Sequence, residues 1–349
     1  MFPLDFPYEI FKEAGKKGQW ALDPFCGRGT TVYAGRMLGL RTIGIDSSPV
    51  AVAISQAKLA NTNPRAIIRE VKRILNNDST NTHVPEGIFW EKAYHPDVLS
   101  ALCKIREELL NDCESDERIA LRAIVLGALH GPKQKTKQSY FSNQCQRTYA
   151  PKPVYAVNFW NKNRLEPDYV NILSIIEERA NKYFNEEVVR SKGQIITGDS
   201  RDSNTFKTIS KRVSWIITSP PYYGMRTYIP DQWLRLWFLG GQSTVDYSMN
   251  GQVEHASPEM FAAQLKKVWI NSGAVAKKRA QMVIRFGGLN DRKADPLEIL
   301  YHSLDDTGWK IDETKSAGFA SQGNRQAVHI NTDINSPREE YDVWATWRG

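Results

Sequence analysis

The sequence predicts an α/β fold in which a parallel sheet is interrupted by a mainly helical insertion. Three observations carry this. Strand-like and helix-like runs alternate over the first 60 residues, the pattern turns mainly helical from 61 to about 192, and strand-like runs return from 193 onward. A length of 349 residues suits two lobes at roughly 100–200 residues per domain. Hydrophobic residues at 41% and charged residues at 24% are globular proportions and exclude wholesale disorder. No run approaches the roughly 18 apolar residues of a membrane span. The first residues hold no basic segment followed by an apolar core, so no secretory signal is expected. Cys26, Cys103, Cys113 and Cys145 form no CxxC pair, which argues against a disulfide scaffold or zinc ribbon and fits a reducing cytoplasm.

Each element follows in turn. Residues 7–14 can form a short helix and 19–22 a strand. The tight loop Asp23-Pro24-Phe25-Cys26-Gly27-Arg28-Gly29-Thr30-Thr31 leads into a helix that Gly39 closes. Residues 41–45 form a second strand ending at Asp46. Ser47-Ser48-Pro49 caps a third helix, with Pro at a tolerated early position. Such a series implies parallel strands joined by right-handed crossovers. After Asn61-Thr62-Asn63-Pro64 come helical segments at 65–75, 96–110, 117–129 and 167–184. Strands are expected at 193–199, 213–217, 281–286, 309–312, 327–331 and 341–347. The sheet domain therefore comprises 1–60 and 193–349, with 61–192 inserted in it.

Two constellations carry chemistry. Gly27 and Gly29, directly after a strand, let the backbone turn sharply and approach a ligand. Asp46 ends the next strand, where a carboxylate can accept hydrogen bonds from ribose hydroxyls. The loop is not a GxGxxG, because Thr30-Thr31-Val32 follow the second glycine. The other constellation, Thr218-Ser219-Pro220-Pro221-Tyr222, follows the apolar strand 213–217. Consecutive prolines stiffen the backbone and remove N–H donors, so carbonyls are presented as acceptors on a rigid loop. Ser219 adds a hydroxyl and Tyr222 a flat face. Such a site suits an amino group on a planar ring.

With these residues in place, the chain resembles the S-adenosylmethionine-dependent DNA methyltransferases that modify exocyclic amines. The 23–31 loop looks like their cofactor loop and Ser219-Pro220-Pro221-Tyr222 like their catalytic motif. The resemblance implies a Rossmann-like methyltransferase sheet with helices on both faces. It implies S-adenosylmethionine held by Phe6, Pro7, Asp23, Phe25, Gly27, Gly29, Thr30, Thr31, Asp46, Ser47, Asp199 and Ser200. Within this set Asp46 would hold the ribose and Asp199 would meet the adenine amine. Ser219 at the head of the catalytic motif resembles the N4-cytosine members, whereas Asp or Asn there is more typical of N6-adenine methylation. Gly323-Asn324-Arg325 falls where a late target-side loop would lie. The resemblance covers 1–60 and 193–349, and implies double-stranded DNA as partner, a nucleoid-associated place in the cytoplasm, and room for a cognate restriction endonuclease. Rival readings are N6-adenine in DNA, an amine in RNA or protein, and a non-catalytic nucleic-acid-binding module on the same fold.

Cytosine C5 chemistry needs a cysteine nucleophile in the catalytic loop, and Ser219 stands there instead. Cys26 reads as packing. The six histidines are dispersed without metal-ligand spacing, so no metal is expected. Net charge is +7, and the window 131–165 alone carries it: Lys133, Lys135, Lys137, Arg147, Lys152, Lys162 and Arg164, with no Asp or Glu. Tyr140, Phe141, Tyr149, Tyr155, Phe159 and Trp160 lie among these cations. The window reads as an irregular loop. A polyanion with stackable bases would suit it, and a solvated basic loop around core aromatics is the alternative. Lys133, Lys135, Lys137, Arg147, Lys152 and Arg226 are the candidate nucleic-acid contacts, while the tryptophans of 231–237 read as core.

Overall fold

The computed structural model describes residues 2–77, 82–133, 138–144, 150–186, 189–224, 229–247, 257–288, 294–319 and 339–349. The chain divides into two units: residues 1–59, 189–227 and 251–349 form one, and 60–188 with 228–250 form the other.

The first unit is built on seven strands: β1 (Trp20–Asp23), β2 (Arg41–Asp46), β3 (Gly193–Thr197), β4 (Val213–Thr218), β5 (Ala276–Gly287), β6 (Trp309–Phe319) and β7 (Glu339–Trp347). Their order is β3-β2-β1-β4-β5-β7-β6. The first five are mutually parallel, and β7 runs antiparallel to β5 and β6. This is a doubly wound, Rossmann-like sheet. Parallel strands bury both faces, and alternate residues divide between two cores. Leu22, Ile43, Ile45, Ile216, Met282 and Ile284 pack on one face, against Phe261, Leu265 and Trp269. Ala21, Trp215, Ile217 and Val283 pack on the other, with Phe6, Ile10 and Phe11. Helices thus cover both faces. In chain order they are α1 (Asp5–Ala14), α2 (Thr30–Met37) and α3 (Pro49–Ala57), then, past the helices of the second unit, α10 (Ser203–Lys207), α12 (Pro258–Ala274) and α13 (Pro296–Leu304).

The second unit is helical: α4 (Pro64–Leu75), α5 (Ile88–Ala93), α6 (Pro96–Asn111), α7 (Asp116–Ala128), α8 (Pro153–Lys162), α9 (Ile172–Phe184) and α11 (Trp233–Phe238). Its polar anchor is Arg118, which is buried and bonded to Glu70 (2.7 Å) and Glu108 (3.1 Å). Residues 228–250 belong here, whereas the sequence reading keeps them with the sheet. The cause is aromatic packing. Trp233 and Trp237 lie 5.6 and 4.5 Å from Trp90 between ring centres, and the Trp233 indole N–H donates to the Pro151 carbonyl (3.1 Å).

Two further local readings change. The window 131–165, read as irregular, contains α8. The helix read over 167–184 begins only at Ile172, where the Asn171 side chain caps it. The strand expected at 327–331 and the Gly323-Asn324-Arg325 loop lie outside the described residues. Among the described residues no helix is long and apolar enough to cross a membrane.

Candidate active site

β1 is flanked by β2 on one side and β4 on the other, and the chain leaves β1 towards β2. The carboxyl ends of β1 and β4 therefore form a topological switch point, the place where open α/β sheets bind ligands. Both sequence constellations sit there.

The loop after β1 is wound by its own backbone. Cys26 N–H donates to the Ile45 carbonyl (3.0 Å) and Gly29 N–H to the Cys26 carbonyl (2.8 Å). Gly27 and Gly29 have φ of 50° and 77°, a region costly to other residues. Their surroundings differ. A Cβ on Gly27 would meet nothing nearer than the Phe25 carbonyl at 3.9 Å, so the loop is open there. A Cβ on Gly29 would fall 3.1 Å from Ser55 Cα and 3.2 Å from Lys58 Cγ. Gly27 thus leaves an approach for a ligand, and Gly29 lets the start of α2 pack against α3. Cys26 is buried, and burial pushes its thiol well above the ordinary value, which fits packing and not nucleophilic attack.

Asp46 ties this loop down. Its Oδ2 accepts from Gly27 N–H (2.9 Å) and its Oδ1 from Ser48 N–H (2.8 Å). Burial raises its pKa, against those two bonds. Each oxygen keeps a second lone pair, so a ribose hydroxyl can still be accepted. Ser47 is exposed and Thr30 half-buried at the head of α2. The Ser200 hydroxyl is buried and donates to the Pro24 carbonyl (2.6 Å), so it supports the loop from below. Asp199 is engaged by Arg201, whose guanidinium reaches both carboxylate oxygens (2.6–3.0 Å). Partial burial alone would raise the Asp199 pKa, but the Arg201 bonds leave it lowered. Arg201, absent from the sequence reading, is the group an adenine amine would have to share Asp199 with.

The ends of β1 and β4 are joined directly. Thr218 Oγ1 donates to Asp23 Oδ1 (2.6 Å), and Thr31 Oγ1 donates to the Ile217 carbonyl (3.2 Å). Asp23 is 1% exposed. Its Oδ1 also accepts from Phe25 N–H (3.1 Å), while its Oδ2 is buried without a partner among the described residues. Burial, with a smaller push from the neighbouring Asp46 charge, raises its pKa to about 6, against the contacts from Thr218, Thr31 and Phe25. A buried carboxylate with a raised pKa at such a switch point is the kind of group that functional sites hold.

Ser219 and Pro221 are half-buried and Pro220 is buried. Tyr222 departs from expectation. It is 8% exposed within the core, its ring edge-on to Phe286 at 5.6 Å, and its hydroxyl donates to the Glu340 carboxylate. Its ring is therefore a fixed support of the loop and not a free stacking face. Glu340, itself buried on β7, stands opposite Gly287 of β5. A Cβ on Gly287 would lie 3.0 Å from Glu340 Cγ and 3.5 Å from Tyr222 Cζ, so the missing side chain makes room for the pair. No local sequence signal marks Glu340, because its partners come from two distant segments. Replacing Glu340 by Ala removes this acceptor from a buried hydroxyl. The expected cost is about 1–3 kcal/mol of stability, measurable by urea unfolding, and unchanged stability would mean that the bond carries no load.

Phe6 and Pro7 are buried on α1. Phe6 lies under the Arg285 guanidinium, 3.8 Å from its ring centre, and Arg285 is paired to Asp342 through two bonds of 2.8 and 2.7 Å. Packing on the sheet thus accounts for Phe6, and the contact to cofactor that the resemblance implies finds no exposed ring. Phe25 is half-buried, edge-on to Trp269 at 6.2 Å.

Of the candidate nucleic-acid contacts, Lys135, Lys137, Arg147 and Arg226 lie outside the described residues. Lys133 is exposed and paired with Asp168 at 2.5 Å, a surface pair worth little. Lys152 is exposed just before α8. The aromatics of the window separate. Phe141 and Trp160 are core, and the Trp160 indole N–H donates to the Gln144 carbonyl (2.9 Å). Tyr140 packs beneath the Arg179 guanidinium (5.1 Å), and Tyr155 is exposed.

Residues 1–57 match the sequence model of the family described as DNA methylase. They hold the whole of the 23–31 loop and Asp46. No curated protein matches the chain. Among solved structures, the chain is similar to the rRNA methyltransferase AviRa from Streptomyces viridochromogenes, at 12% identity over 98% of this chain and 84% of that one, with a TM-score of 0.36. It is also similar to magnesium protoporphyrin IX methyltransferase from Synechocystis PCC 6803 with bound SAM (9% identity, 99% and 77% covered, TM-score 0.36). A third is TehB from Haemophilus influenzae (7% identity, 98% and 62% covered, TM-score 0.38). Likenesses this distant bear on neither substrate nor site residues.

Proposed function

We propose that the chain transfers a methyl group from S-adenosylmethionine to the exocyclic N4 amine of cytosine in double-stranded DNA. The observation that carries this reading is the joining of the two loops at the switch point, through the Thr218–Asp23 and Thr31–Ile217 hydrogen bonds. A cofactor on one loop and an amine on the other would be neighbours. The DNA methylase match over residues 1–57 supports the cofactor side, and Ser219 supports the choice of cytosine.

The residues present fit such a cofactor. The buried Asp23 carboxylate supplies negative charge at the foot of the loop for its cationic end, Gly27 leaves the loop open to approach, and Asp46 keeps lone pairs for ribose hydroxyls. When bound, S-adenosylmethionine supplies an electrophilic methyl on a positively charged sulfur. The protein's part is to hold and orient the amine. Ser219 Oγ and the Pro220 carbonyl would accept hydrogen bonds from its two N–H groups and turn the nitrogen lone pair towards the methyl. As the N–C bond forms, the electron pair of the broken S–C bond stays on the sulfur and the amine releases one N–H proton to solvent. Positioning of this kind, with reacting atoms roughly 3–3.5 Å apart, lowers a barrier by several kcal/mol without a covalent intermediate. Tyr222, pinned by Glu340 and Phe286, keeps the Pro-Pro segment in place. A duplex base reaches such a loop only by leaving the stack.

The test is incubation with labelled S-adenosylmethionine and, in separate reactions, DNA, RNA and protein, followed by nucleoside mass spectrometry. N4-methylcytosine in DNA is the expected product. N6-methyladenine alone would overturn the argument from Ser219. Label confined to RNA or protein would overturn DNA as the substrate.

A further inference from the structure

Among the described residues, Val154 and Tyr155 are the most exposed large apolar side chains, at 75% and 73%. They open α8, a helix anchored from its other side by the buried Ala156 and Trp160. At 3.6 residues per turn, Tyr155, Asn158 and Lys162 share one stripe (i, i+3, i+7), with Val154 and Asn161 beside it, and all five are exposed. The helix holds no acidic residue, the exposed Lys152 precedes it, and it lies inside the window that carries the whole net charge. An apolar pair on a water-facing helix costs solubility without adding to the core. Set among amides and cations, the pair fits a partner with negative charge and flat apolar faces.

We propose that this stripe of α8 contacts the bases of double-stranded DNA, with Tyr155 stacking on or wedging between them and Lys162 meeting a phosphate. Aromatic stacking and apolar wedges are sequence-tolerant ways of gripping bases, and Asn158 has the donor and acceptor that a base edge requires. The proposal rests on DNA being the substrate. It adds which surface of the helical unit meets the bases.

The test uses the full chain and sheared genomic DNA, with DNA affinity, its salt dependence, methyl incorporation and S-adenosylmethionine affinity measured together. Tyr155→Ala is expected to weaken DNA binding about 5- to 100-fold with an unchanged salt slope and unchanged S-adenosylmethionine affinity. Tyr155→Phe should restore binding to within about twofold, since the ring face is kept. Lys162→Gln should flatten the slope of log affinity against log salt by about one. A Tyr155→Ala protein that binds and methylates DNA like the wild type overturns the α8 proposal alone. A wild-type protein that transfers methyl groups to RNA or protein and binds no DNA overturns the DNA reading, and this proposal with it.

Discussion

Affinity for S-adenosylmethionine is expected to fall about tenfold for each pH unit below pH 6, because the proton that Asp23 takes up there competes with the cationic end of the ligand. Asp23 is the group responsible, since burial lifts its pKa to about 6. The same shift sets a stability slope of defined sign. An acid whose folded pKa lies above its unfolded value of 3.8 keeps its proton in the folded state after the unfolded chain has released it. Stability therefore falls as pH rises from about 4 to 6, by about 3 kcal/mol in total. Asp23→Asn removes the charge and should recover up to about 3 kcal/mol at pH 7 and almost nothing at pH 4. It should also lose about 10- to 100-fold in cofactor affinity, the worth of a charge-assisted hydrogen bond. Urea unfolding at the two pH values and calorimetry from pH 5 to 8 check both halves. Affinity that is flat across that range would remove Asp23 from the cofactor site.

Gly29→Ala is expected to damage fold and function together. Alanine at a φ of 77° costs about 1–2 kcal/mol, and its Cβ would press on the Ser55 backbone, which cannot yield as a side chain tip can. Ser55 in turn donates to the Gly27 carbonyl (2.7 Å), so a shift of α3 would pull on the open part of the loop. The expected loss is about 2–4 kcal/mol of stability, with at least tenfold weaker cofactor binding. Gly27→Ala supplies the contrast. Its Cβ points into open space, so the stability cost should stay near 1–2 kcal/mol while affinity falls by as much. Equal effects of the two substitutions on stability would show that Ser55 and Lys58 do not confine the loop.

The parts of this architecture legible in the sequence are those set by short-range physics. The 23–31 loop, its flanking strands and the Ser48 cap of α3 each rest on a few adjacent residues. Helices α12 and α13 left a similar mark, since Ser257-Pro258 and Asp295-Pro296 place a capping side chain before Pro, as Ser48-Pro49 and Asn63-Pro64 do. That signal alone could have found them. What could not be read is set by contacts between distant segments. The burial of Tyr222 depends on Glu340 and Phe286, and Asp199 is engaged by an Arg201 whose orientation follows from Gln264 on α12 (3.0 Å). The window 131–165 shows both cases. Its charge was countable, whereas the division of its aromatics into core and surface needed α8 to form.

Ser219 is the residue on which the account turns, because its hydroxyl is assigned to the amine and not to the cofactor. The most direct measurement takes Ser219→Ala and the wild type side by side, with S-adenosylmethionine affinity by calorimetry and methyl transfer to DNA under saturating cofactor. Loss of one hydrogen-bond acceptor for the amine should lower turnover about tenfold, with cofactor affinity within about twofold of wild type. A variant that turns over normally, or that loses cofactor binding instead, would contradict the placement of the target amine at this loop.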